Sequence, residues 1–165
     1  MTINELITWR NDLTNNLLHP DLRDKFTHEE KTEFNLSLYR IEEEMTFFYG
    51  EYIATNKDLL SFHGYETGQD KIHEFARTDI IYSVFEGPIF PIISENYMIS
   101  CGDNKSPERV VKIEEIIGTY IANADEEENA VDLAAWRHDL SWLSDWKKYW
   151  LEDYYGKTNK KRRIR

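Results

Sequence analysis

The sequence predicts a mainly α protein, a compact bundle of about five helices, and three observations carry that expectation. Apolar residues recur at three- and four-residue spacing through most of the chain. Two capping boxes and a Ser-Pro-Glu start mark where helices begin. Glycine and proline are scarce, at 7 and 4 residues, which disfavours a turn-dense β-sandwich. At 165 residues the chain has the length of one domain. With 41% apolar and 14% aromatic residues it has enough material to fill a core without a disulfide or metal staple.

The first helix starts at Thr2, where Thr2-Ile3-Asn4-Glu5 has the capping-box form. Ile3, Leu6, Ile7, Leu13 and Leu17 keep its apolar face, and His19-Pro20 ends it because the residue before proline is pushed out of the α region. A second box, Thr27-His28-Glu29-Glu30, opens a long helix whose core stripe is Phe34, Leu38, Ile41, Met45, Phe48 and Tyr52. Gly50 ends or bends it. A short piece follows at 58–62, and 63–68 reads as a loop. From Asp70 the pattern is helical again through Ile72, Phe75, Ile80 and Val84, until Gly87-Pro88 stops it. Residues 80–85 are also rich in β-branched and aromatic types, so a short β-hairpin near residues 80–100, pairing them with 97–100, is the alternative there.

Ser106-Pro107-Glu108 starts the next helix, and Val110, Ile113, Ile116, Ile117 and Tyr120 follow on one face. After an acidic link at 125–128 comes the last helix, over 130–154, with Gly156 as its stop. Its aromatic load is unusual. On a helical wheel Leu133, Trp136, Leu140, Leu143 and Trp150 form one stripe, and Trp142, Trp146 and Tyr149 form a second beside it. Together they cover about 200°, whereas a helix packing on one core needs only about 100°. Either this helix is central, or the second stripe is partly exposed as a binding surface. One internal echo exists, Leu6 to Leu13 against Leu133 to Leu140, but no period supports it elsewhere and coincidence explains it.

Charge is segregated along the chain. There are 20 basic and 31 acidic residues, a net of −11. Six of the basic residues lie within 157–165, where there is no acid; without them 14 face 31, a net of −17 for residues 1–156. The expected organisation is one acidic helical domain over 1–156 and a basic, disordered tail over 157–165. A domain this negative repels nucleic-acid phosphates and anionic membrane surfaces and attracts basic proteins. The lone Cys101, the acidic start of the chain and the lack of a long apolar run lead to the expectation of a soluble, cytoplasmic protein.

Catalytic patterns are missing from the sequence. It has no phosphate-binding glycine loop, no dinucleotide fingerprint and no Gly-x-Ser-x-Gly turn, and one cysteine excludes a cysteine-based zinc site. His138-Asp139 is the dipeptide that names the all-helical HD-type phosphohydrolases. Those enzymes need an earlier histidine and a later aspartate, for which His63 or His73 and Asp145 or Asp153 are the positions available, and the aromatic setting makes the match poor. Asp70 and His73 lie one turn apart and could share a metal with Glu74 or the Glu42 to Glu44 run, but no second copy of the motif appears.

The expectation is a non-catalytic inhibitor, without cofactor or metal, that neutralises a basic protein by occlusion. The partner would be a nuclease toxin or a protein of similar charge. In size, acidity and lack of catalytic groups the chain is similar in type to bacterial immunity proteins and antitoxins and to phage mimics of nucleic acid, though no motif ties it to one family. The expected contact residues are the aromatic Trp142, Trp146 and Tyr149 within a rim of Asp139 and Asp145. The clusters Asp125, Glu126, Glu127, Glu128 and Glu42, Glu43, Glu44 supply the longer-range field. A metal-dependent hydrolase and a self-associating structural protein are the alternatives.

Overall fold

The computed structural model describes the backbone of residues 1–48, 58–68, 71–87 and 95–163, without the side chains at 95, 96, 98, 154, 155 and 157–163. Gly50, Tyr52, Asp70 and Pro88 lie outside the described residues. Seven α-helices and two 3-10 turns, with no strand, make up the regular structure of the described residues.

Both capping boxes form. Thr2 starts α1 (Ile3–Leu18), accepting the Glu5 N–H at 3.3 Å while Glu5 accepts the Thr2 N–H at 2.6 Å. Thr27 and Glu30 repeat the exchange at the start of α2 (His28–Met45). His19, extended before Pro20, closes α1. A third box, Asp58 with Ser61, sets the short α3 (Leu59–Phe62). In the loop after it, Gly64 has φ +87°, and a Cβ there would run into the Asn11 side chain, whose Nδ2 donates to the Gly64 carbonyl at 2.9 Å.

The next two helices correct the hairpin alternative. Residues 80–85 belong to α4 (Glu74–Glu86), and residues 97–100 lie in α5 (Glu95–Cys101). The reason is position. Helix α4 packs against α1, α3, α6 and α7, so Ala76, Ile80, Ile81, Val84 and Phe85 are buried around much of its circumference. Surrounded on several sides, it has no single apolar face to betray its period. Helix α6 (Pro107–Asn123) starts as expected, with Ser106 accepting the Arg109 N–H at 3.1 Å.

Helix α7 (Ala130–Arg163) packs on α6 and α4. It runs through Gly156 rather than stopping there. A helical glycine costs only about 1 kcal/mol against alanine, no proline follows, and lysine and arginine are good helix formers. None of the helices, over the described residues, is long and apolar enough to cross a membrane.

Three arginines sit inside the fold. Arg109, 2% exposed, donates to the carbonyls of Val84, Gly87, Cys101 and Gly102 at 2.7–3.0 Å, tying together the C-terminal ends of α4 and α5. Arg10 donates to the His63 carbonyl and pairs with Glu42 at 3.1 Å. Arg77 meets Asp139 through two bonds, at 2.7 and 3.2 Å.

Candidate interaction surface

The aromatic residues of α7 face two neighbours, though Trp150, expected beside Trp136, stacks with Trp146 instead. Trp136 lies 5.5 Å from the Tyr120 ring of α6. Trp142, Trp146 and Trp150 form a ladder of near-parallel indoles at 6.2 and 6.0 Å, one turn apart. Phe85 of α4 meets Trp146 and Trp150 edge-on at 4.9 and 5.0 Å, and Tyr82 meets Trp146 at 6.1 Å. Two packed flanks therefore account for the tryptophans of the wide aromatic surface, and Trp142 and Trp146 are half-buried against the core. Tyr149 differs: it is 75% exposed. Asp145, Tyr149, Glu152 and Asp153 follow at three- and four-residue spacing, so the exposed phenol stands on an acidic face of the helix.

Asp139 needs correction as a contact residue. Its exposure is 0%. Besides the Arg77 fork it accepts the Tyr65 hydroxyl at 2.7 Å and lies 2.9 Å from His138 Nδ1. It joins α7 to α4 and to the loop after α3. The HD dipeptide is thereby a structural pair, since Arg77 already holds both carboxylate oxygens. Asp145 is exposed, 3.7 Å from Lys148.

Other histidines are similarly engaged. His73 caps α4, its Nδ1 accepting the Phe75 N–H at 3.2 Å, and its ring lies against His19. His63 lines a cavity with Arg10 and Glu42, and burial, then Arg10 and Arg109, pushes its pKa down from 6.5 to about 3. Among the described residues, no three histidine, cysteine, aspartate or glutamate side chains converge closely enough to hold a metal ion.

The acidic clusters are solvent-facing, but their members differ. Asp125 accepts the backbone N–H groups of Glu127 and Glu128 at 2.9 and 3.0 Å, which hold its carboxyl below the usual carboxylate range and shape the turn into α7. Glu126 reaches Arg137 at 3.2 Å, while Glu127 and Glu128 are exposed. Glu42 is committed to Arg10. Glu43 and Glu44 are exposed, and no described cation pairs with them.

Beside Glu43 and Glu44 lies a feature the sequence reading missed. Helix α2 packs on α1 and on the 3-10 turn that follows it, Thr46–Phe48; Leu36 and Tyr39 of the helix are 57% and 71% exposed, and Phe47 of the turn is 82% exposed. Positions 36, 39, 40 and 43 recur at helical spacing, so Leu36 and Tyr39 share this face with Glu43 and the exposed Arg40, and Phe47 follows in the turn. The signal was available: Leu36, Tyr39 and Phe47 all fall off the 34-38-41-45-48 core stripe. Comparison with protein families, with curated proteins and with solved structures finds no match to this chain.

Proposed function

We propose that this chain is a non-catalytic binding module that neutralises a basic protein by covering its working surface, in the manner of toxin-immunity and antitoxin-type proteins of bacteria or phage. The supporting observation is the outer face of α2. Tyr39 and, in the turn that follows, Phe47 are largely exposed near Glu43 and Glu44, with Arg40 the one cation among them, a combination of large rings and net negative charge that suits a cationic partner.

Arg10, Arg77 and Arg109 are buried, against Asp139 alone among the buried acids of the described residues. The net of −17 over residues 1–156 sets the long-range field that draws in a cation.

The test is affinity capture from the native host with two baits, the parent chain and Y39A/F47A, followed by mass spectrometry. The expected result is a basic protein held by the parent and lost from the variant. Recovery of no basic protein by the parent, or equal recovery by both baits, would overturn the proposal.

A further inference from the structure

We infer that the cleft between α3, the loop after it, α6 and α7 is a binding site for a guanidinium group. Its volume is about 520 Å³, and Asp58, Tyr65, Glu66, Tyr120, Asp132 and Trp136 form its principal walls. That volume falls within the roughly 300–1,000 Å³ of ordinary small-ligand sites. No residue of the α2 face belongs to it, so this inference stands or falls independently of the docking surface proposed above.

The half-buried rings of Tyr120 and Trp136 give the cleft flat walls, and Tyr65, 5% exposed, belongs to the core beneath. Tyr65 and Tyr120 lie nearly parallel, 6.2 Å apart with 19° between their planes, and Trp136 leans on Tyr120 at 5.5 Å. The hydroxyl donors of these walls already have acceptors. Tyr65 donates to Asp139 at 2.7 Å, Tyr120 to Asp58 at 2.5 Å, Thr67 to Asp132 at 2.5 Å, and Ser61 to the Asp58 carbonyl at 3.2 Å. Burial and then the charge of Asp58 raise the Tyr120 hydroxyl above its ordinary pKa, which keeps it a donor. The one cation of the lining, Lys71, sits on Glu66 at 3.6 Å, with both side chains largely in solvent.

Asp58 has both oxygens engaged, by the Ser61 N–H and the Tyr120 hydroxyl, so what these walls offer a ligand is the carboxylates of Glu66 and Asp132 and the half-buried rings of Tyr120 and Trp136. An anion meets three carboxylates against one ammonium. A guanidinium matches on every count: it carries five N–H donors and no acceptor, it stacks on aromatic planes, and it is more weakly hydrated than an ammonium. The group could come from free arginine-like molecules or from an arginine side chain of a protein.

The experiment titrates the full-length protein with N-acetyl-arginine methylamide, its lysine counterpart, and a Gly-Gly-Arg-Gly-Gly peptide, reading the Trp136 indole N–H by NMR. W136F assigns that resonance. The arginine compound is expected to bind with a dissociation constant on the order of 1 mM, and the lysine compound about tenfold more weakly. D132N, which keeps an oxygen for Thr67, and E66Q are each expected to weaken binding about fivefold with an unchanged thermal midpoint. Binding of the peptide as well as the amide identifies a protein arginine as the source; binding of the amide alone identifies a small molecule. An unmoved indole signal, or equal affinity for the lysine compound, would overturn the inference.

Discussion

Asp139 and Asp145 are separated by six positions on one helix, and the fold gives them unrelated roles. Asp139 is sealed against Arg77 and Tyr65, whereas Asp145 sits in water beside Lys148. Removing one partner of a buried pair strands the other, so D139A is expected to lower stability by about 3–5 kcal/mol. D145A is expected to stay within about 0.5 kcal/mol. Urea unfolding midpoints check both. The difference was not legible in the sequence, because the residue that decides it, Arg77, is 62 positions away.

His63 makes a second prediction at the residue scale. Its pKa is lowered in the fold, so between about 6.5 and about 3 the unfolded chain takes up a proton that the folded chain does not. Its contribution is intact above that window and is lost as the pH falls through it. H63Q removes the group, and each pKa unit carries about 1.4 kcal/mol, so the variant is expected to lose at least about 1 kcal/mol less than the parent on going from about pH 7 to about pH 4. Asp79, raised by burial first, works in the opposite direction in both proteins, which is why the difference between them is the informative quantity. Chemical denaturation at each pH checks it.

Among the elements, those with local causes were the ones the sequence disclosed. The starts at Thr2, Thr27 and Ser106 each rest on a contact to a residue three positions on. Helix α4 was ambiguous because its surroundings, and not its own pattern, make it a helix core. The width of the aromatic surface on α7 was visible, but its division between α6 and α4 was not. That division sets a prediction for the indole ladder. W146A removes a ring packed on Tyr82 and Phe85 and is expected to destabilise by about 3 kcal/mol. Y149A removes an exposed ring and is expected to change stability by less than about 0.5 kcal/mol. Thermal and urea unfolding of the two variants separate a packing role from a contact role on one helix. The echo between α1 and α7 dissolves at this scale as well, since Arg10 is buried on Glu42 while Arg137 is exposed on Glu126.

For the whole molecule, the proposed mode of action starts from net charge. The net charge was readable from composition, but which arginines the fold encloses was not. Long-range attraction raises the rate of encounter and is screened by salt over a Debye length of about 8 Å at physiological ionic strength. Apolar anchors act after encounter, on how long the complex lasts. The most direct test measures association and dissociation of the captured basic protein over a range of salt, for the parent, E43K/E44K and Y39A/F47A. E43K/E44K is expected to associate more slowly with a flatter salt dependence, and Y39A/F47A to dissociate at least about tenfold faster. Rates indistinguishable from the parent in both variants would contradict a basic partner docked on α2.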